Sequence, residues 1–211
     1  MSIVLHHHPL SRAATVVWML EELGLPYTLQ HVDFATGTHK SPALLALNPM
    51  GKIPILVDGE GEHAVVVSET AAIGIYLADR YASGRLAPAL DDPRRGPYLR
   101  AMLCGAIVVE PCALAKAMKW EYRPSNAGFG SYDDMVRGLH AMLTPGPFLL
   151  GAQCSMADIC LGATVRYMVQ FNMMASDDLI GPWLTRLNER PANLRAEARN
   201  AAIVAEKGLG R

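Results

Sequence analysis

The sequence predicts an α+β N-terminal domain followed by an all-α C-terminal domain. Strand and helix patterns alternate as far as Tyr81, whereas everything beyond Asp92 reads as helices separated by loops, and this change of class argues for two packed domains. Length agrees, since 211 residues amount to roughly 1.4 domains at about 150 residues each. With 51% hydrophobic and 18% charged residues, and 14 Pro and 18 Gly scattered along the chain, disordered, collagenous and low-complexity classes are excluded.

Each element has a local reason. Ser2 to Leu5 is a short β-prone run. From Ser11 the apolar positions Ala13, Val16, Val17 and Leu20 recur at helical spacing until Gly24 and Pro26 stop them. Tyr27 to Phe34 alternates as a second strand, and His39 to Leu47 reads as a short helix that ends before Asn48-Pro49. Ile53 to Val57 and His63 to Val67 flank the turn Asp58-Gly59-Glu60-Gly61 as a hairpin. Ser68 is placed to cap a helix whose buried stripe is Ile73, Tyr76, Leu77 and Tyr81. Residues 1–82 form the first domain, 83–91 a turn-rich linker, and 92–211 the helical domain, which Asp92-Pro93 opens as cap and first helical position. Further on, Ser155 and Asp158 make an S-x-x-D capping box, with Cys154 and Ile159 at the spacing of a hydrophobic staple. Asp158 is therefore assigned to folding and not to chemistry.

Nineteen Lys+Arg against twenty Asp+Glu leave a formal charge of −1, which gives no electrostatic reason to bind nucleic acid or an anionic membrane surface. The apolar stretches read as too interrupted to supply the ~20 residues of a membrane helix. Cys104, Cys112, Cys154 and Cys160 form no C-x-x-C, and no secretory leader is recognised, so a cytoplasmic protein with reduced, mostly buried thiols is expected. His6, His7 and His8 invite a metal reading. Consecutive residues on an extended segment alternate sides, however, and no acidic or cysteine cluster completes a ligand set, so no metal is expected.

Four ordered segments carry more. They are His8-Pro9-Leu10-Ser11-Arg12 leading into Trp18-Met19-Leu20-Glu21-Glu22-Leu23-Gly24-Leu25-Pro26-Tyr27, then Asn48-Pro49-Met50-Gly51-Lys52-Ile53-Pro54, then Ser68-Glu69-Thr70-Ala71-Ala72-Ile73, and finally Leu150-Gly151 with Ser155-Met156-Ala157-Asp158-Ile159. In this order they resemble the cytosolic glutathione transferases over nearly the whole chain, in particular serine-type, theta-like bacterial members. The resemblance implies a thioredoxin-like glutathione-binding domain and a helical-bundle domain that supplies the pocket for a small hydrophobic electrophile. It also implies a homodimer built on the helix from Glu69 and the helix from Pro93.

Within that resemblance each residue acquires a task. The bond before Pro54 is cis in the resembled fold, which turns the backbone N–H and C=O of Ile53 outward to pair with an extended peptide such as glutathione. Thr70 and its backbone N–H would hold the γ-glutamyl carboxylate while Glu69 attracts the α-ammonium. His39, Lys40 and Lys52 are candidates for the glycyl carboxylate, with His39 nearest the matching position. Ser11 would activate the thiol, because the thiolate is the nucleophile and a hydroxyl beside a helix N-terminus stabilises negative charge on sulfur. Serine there, instead of cysteine, favours attack on an electrophile over mixed-disulfide exchange. Cys112, Ala115, Met118, Lys119 and Tyr122 are candidates for the electrophile pocket. The competing readings are a non-catalytic glutathione or ligand carrier, and glutathione-dependent isomerisation, dehalogenation, ether cleavage or peroxide reduction on the same fold.

Overall fold

The computed structural model describes residues 2–210. Its strands are β1 (Ile3–His7), β2 (Thr28–His31), β3 (Ile55–Asp58) and β4 (Val65–Ser68). Its helices are α1 (Ala13–Leu23), α2 (Pro42–Leu47), α3 (Thr70–Tyr81), α4 (Arg95–Cys104), α5 (Glu110–Ala117), α6 (Tyr132–Leu143), α7 (Met156–Gln170), α8 (Ile180–Asn188) and α9 (Pro191–Lys207). The chain divides into two compact units, one of residues 2–76 together with 190–210 and the other Leu77–Glu189.

In the first unit the strands form one mixed sheet in the order β2-β1-β3-β4, the thioredoxin-like arrangement. β1 runs parallel to β2, with His7 opposite His31, and antiparallel to β3, with His6 opposite Ile55. β3 is in turn antiparallel to β4, with Ile55 opposite Ser68. The strand expected to end at Leu5 continues through His6 and His7 because alternate residues Ile3, Leu5 and His7 all face inward. A histidine at an inward position needs a partner, and the amide oxygen of Asn200 accepts from His7 Nε2 at 2.7 Å. Burial still holds the His7 ring down at about 4 from the ordinary 6.5. The fold thus selects the neutral ring, and its contribution to stability, full above 6.5, declines as pH falls through 4.

α1 buries Ala13, Val16, Val17 and Leu20, the expected stripe, and ends as expected at Gly24, whose φ of 69° is the left-handed cap and whose N–H donates to Leu20 O. α9 packs on α1 in the same unit. Glu21 is held by Arg195 and Arg199 of α9, each at 2.8 Å, and accepts from the Tyr27 hydroxyl at 2.7 Å. Glu22 pairs with Arg190 and accepts from Trp18 Nε1.

Three local expectations are corrected. The helix expected from His39 is interrupted: Thr38–Lys40 is a 3-10 turn and α2 starts afresh at Pro42, because Ser41 before a proline is pushed out of helical space and caps instead, accepting from Leu44 N–H. The second strand stops at His31, since Phe34 belongs to the following turn, which Asp33 organises by accepting from the N–H of Ala35. Ser68 is not a helix cap. It is the last residue of β4, and Glu69 O accepts the first bond of α3, from Ile73 N–H.

In the second unit α4 and α5 are joined through a π-helical turn, Gly105–Val109, into one run Arg95–Ala117. A Cβ on Gly105 would lie 2.8 Å from Thr164 Oγ1 of α7, so only glycine allows that approach. This run is long and apolar enough by composition to cross a membrane, contrary to the sequence expectation, but half of its apolar window is buried inside the protein. Arg100, Glu110 and Lys116 interrupt its apolar composition without ending the helical run. The capping box is present at the start of α7: Asp158 is fully buried and accepts from Leu149 N–H, Ser155 N–H, Ser155 Oγ–H and Trp183 Nε1–H.

Candidate active site

The sheet register decides which loops meet. β1, β2 and β4 end, and β3 begins, at one edge of the sheet, since His7 lies opposite His31, His6 opposite Ile55, and Ile55 opposite Ser68. The segments that leave this edge carry Ser11, His39, Lys52, Ile53, Pro54, Glu69 and Thr70. A chain of contacts ties three of the segments together. The His8 ring packs on Phe34 at 4.8 Å, Phe34 meets the His39 ring edge-on at 5.1 Å, and His39 O lies against Gly51.

Ser11 stands just before α1. Its Oγ donates to His8 O at 2.8 Å and accepts from Ala13 N–H at 3.1 Å. Its own N–H donates to His8 O at 3.1 Å, closing a turn with Pro9 in the second position. If the hydroxyl proton swings to another acceptor, His8 O keeps the Ser11 N–H. The Ala13 N–H meanwhile polarises Oγ and strengthens it as a donor. Serine is thus both a cap and a hydroxyl free to change acceptors.

The loop from α2 to β3 is fixed by Asn48, whose Oδ1 accepts from Met50 N–H and whose Nδ2 donates to Lys52 O. Gly51 has φ of 61°, and a Cβ there would lie 2.8 Å from His39 O, so glycine is required on both counts. The Ile53–Pro54 peptide is cis. Neither the N–H nor the C=O of Ile53 has a hydrogen-bond partner among the described residues. Of the candidate partners for a carboxylate, Lys40 donates to Met50 O at 2.7 Å, Lys52 is exposed, and the half-buried His39 has its Nδ1 buried without a partner among the described residues. Glu69, exposed, takes φ of 70°, a left-handed conformation that is uncommon for a residue with a side chain and concentrates at functional sites. Thr70 follows as the first residue of α3, so its N–H has no acceptor within the helix.

The remaining candidates lie in the second unit. Cys112 and Ala115 are buried in its core, Met118 and Lys119 are exposed at the end of α5, and the Tyr122 hydroxyl faces the Cys112 thiol and donates to Gly130 O. Burial pushes the thiols of Cys104, Cys112 and Cys160 up, the last to about 12, which suits packing and not nucleophilic attack. A cavity of about 300 Å³ beside Arg85, Arg94 and Cys154 includes none of the candidates. Sequence reasoning gave no role to Phe34 or Asn48, which the structure places beside the candidate residues. Only Asn48 had a local signal, as an Asn before proline in a turn.

The candidate site thus combines a thioredoxin-like sheet with a hydroxyl before α1, a backbone residue before β3 that is unpaired among the described residues, and a helix start after β4. Residues 11–80 match the family model described as glutathione S-transferase, N-terminal domain. Glutathione S-transferase 3 of Zea mays is 46% identical over 80 residues, which are 37% of this chain and 34% of the maize protein, so the chain spans about a third of that relative's length. Over the whole fold, a glutathione transferase from Phanerochaete chrysosporium, solved with oxidized glutathione, superposes with a TM-score of 0.77 at 26% identity, covering 95% of this chain and 97% of that one. A glutathione transferase from Burkholderia graminis, solved with two glutathione molecules per subunit, gives 0.74 at 28% identity, covering 93% and 87%. Residues 11–80 thus resemble a glutathione S-transferase N-terminal domain, and the chain as a whole has the glutathione transferase fold.

Proposed function

We propose that this protein is a glutathione transferase, serine-type and theta-like in kind and bacterial in origin, that joins the glutathione thiolate to small hydrophobic electrophiles. The observation that carries the reading is the Ser11 hydroxyl at the start of α1, on the same sheet edge as the unpaired Ile53 backbone and the Glu69–Thr70 turn. Glutathione would lie as an extended peptide along Ile53. Thr70 would receive its γ-glutamyl carboxylate, Glu69 its α-ammonium, and His39 with Lys52 its glycyl carboxylate. The unpartnered His39 nitrogen supports the last assignment. Ser11 then stabilises the sulfur anion, which attacks carbon as the leaving group departs or as an activated double bond takes up a proton. The domain assignment is 1–82 for glutathione and 92–211 for the electrophile, with 83–91 as linker and with Cys112, Ala115, Met118, Lys119 and Tyr122 as the pocket. α9, at the end of the second segment, packs on α1 within the first compact unit and so belongs to a different unit from that pocket. Glutathione in the solved relatives from Phanerochaete chrysosporium and Burkholderia graminis supports the co-substrate.

The direct test is a panel of chlorinated aromatics, epoxides, enones and hydroperoxides assayed with glutathione beside a glutathione-binding titration. Conjugation of at least one class is expected. Binding without any turnover would instead make the protein a ligand carrier, and turnover confined to hydroperoxides would make it a peroxidase.

Two further expectations follow. Glu69→Gln keeps the shape of the turn and removes one charge, so glutathione affinity should fall by about 1.5–3 kcal/mol if the carboxylate meets the ammonium in a partly desolvated cleft. Equal dissociation constants for the two proteins, measured by calorimetry, would leave Glu69 a helix-dipole residue worth a few tenths of a kcal/mol. We also propose a cytoplasmic homodimer assembled about the helix that follows Glu69 and the helix that follows Pro93, through a self-complementary two-fold contact. Light scattering at micromolar concentration should return twice the chain mass, and a monomer mass would refute it.

A further inference from the structure

We propose that His8 is a positioning residue for Ser11, its ring nitrogen fixing the turn from which the serine hydroxyl is presented. The inference rests on the reading of Ser11 as the thiol-activating group. His8 holds the turn at two places. Its carbonyl accepts from both the N–H and the Oγ–H of Ser11, at 3.1 and 2.8 Å. Its ring Nδ1 accepts from Leu10 N–H at 3.2 Å. The second bond has the pattern of an Asx-turn, a side-chain acceptor bound to the N–H two residues on, with histidine where asparagine is customary. Carbonyl bonds of this kind are available to any residue type, whereas the ring bond is specific to His8.

The ring bond also fixes the tautomer. An accepting Nδ1 places the proton of the neutral ring on Nε2. The ring cannot move freely, because it lies 4.8 Å from Phe34 and 5.4 Å from the His31 ring. The titratable groups around it are His7 before it in β1, His31 at the end of β2 and Asp33 beyond, with His39 on the far side of Phe34. Burial and His31 favour the neutral ring, and Asp33 opposes them. Once Nδ1 is protonated it can no longer accept, so Leu10 N–H loses its partner and the turn under Ser11 loosens. Acidification therefore acts on activity twice, by protonating the glutathione thiolate and by releasing Ser11.

Two variants separate the ring's bulk from its acceptor. His8→Phe keeps an aromatic ring against Phe34 and His31 and removes Nδ1, whereas His8→Asn supplies an acceptor of Asx-turn geometry that does not titrate. With kcat and KM followed across pH, His8→Phe should lower kcat by about 2- to 12-fold, the rate equivalent of one neutral hydrogen bond, with little change in KM for glutathione. His8→Asn should restore most of that loss and show a shallower acid limb than the natural protein. In parallel, the Leu10 amide NMR signal should titrate together with the His8 ring in the natural protein and stay put in His8→Asn. Thermal unfolding of each variant verifies that it is folded. A folded His8→Phe protein with natural kcat and an unchanged acid limb would overturn the proposal, as would a Leu10 amide that ignores the His8 titration. The amide readout is independent of turnover. If Leu10 follows His8 but Ser11→Ala leaves activity intact, the turn is held as described and the failure lies in the role given to Ser11.

Discussion

Ser11→Ala is expected to lower kcat/KM with glutathione by about 10- to 1,000-fold while glutathione still binds. Alanine keeps most of the local volume, and the groups proposed to hold the peptide, Ile53, Glu69 and Thr70, are untouched. The lost group is a hydroxyl that accepts from Ala13 N–H and can donate onward. Without that donor the sulfur anion is less stable and the thiol of bound glutathione ionises at higher pH, each unit corresponding to ~1.4 kcal/mol. The acidic limb of the rate profile should therefore move to higher pH, not lower. Ser11→Thr should rescue activity if its methyl fits, and Ser11→Cys would divert the site toward mixed disulfides. Loss of the bond to Ala13 N–H also removes a helix cap, so thermal unfolding belongs beside the kinetics. A mutant with natural rate and an unmoved acid limb would leave Ser11 with the capping role alone.

Asp158→Ala should cost about 3–5 kcal/mol of stability, the largest structural effect anticipated from one substitution here. The carboxylate is fully buried and accepts bonds of 2.8, 2.9, 2.8 and 3.2 Å from Leu149 N–H, Ser155 N–H, Ser155 Oγ–H and Trp183 Nε1–H. Alanine would strand these donors away from water. Burial pushes the carboxyl upward while the four donors pull it down, so the site depends on all of them being present. For a chain of this length the melting temperature should drop by roughly 6–20 °C. Asp158→Asn, which keeps one acceptor but turns an amide N–H toward donors, should recover only part of the loss. If calorimetry gave a drop of a degree or two for Asp158→Ala, water must satisfy the orphaned groups and the capping box would be incidental.

Features governed by neighbouring residues were legible in the sequence. The stripe Ala13, Val16, Val17 and Leu20 needs only the helical period, Gly24 only the left-handed cap, and Ser155 with Asp158 only the geometry of a helix start. The cis bond before Pro54 is different, since the residues beside it read only as a turn proline and the family resemblance alone implied the cis form. Local signals compete at two other places. Ser68 has the chemistry of a cap, but pairing with Ile55 keeps it in β4, and the left-handed Glu69 makes the transition to α3 instead. The apolar pattern runs on from His39 through Ser41-Pro42, but proline there opens a new helix and does not continue one.

The sequence by itself determined the class of each half, and it named the residues of the candidate site in their order along the chain. Tertiary structure decided which of them meet. That Ser11, His39, Ile53 and Glu69 leave one edge of the sheet follows from the β2-β1-β3-β4 order and its register, which no local pattern encodes. The partner of buried His7 is Asn200, and the partners of Glu21 are Arg195 and Arg199, brought by a helix from the far end of the chain that joins the first unit. In the sequence His8 is one of three adjacent histidines, and only the fold sets its ring nitrogen on Leu10 N–H and its carbonyl on Ser11. Periodicity and capping are short-range and repeat along the chain, so a sequence displays them. Hydrogen bonds across the fold depend on where two segments come to rest, and that is set by burying the whole apolar surface at once.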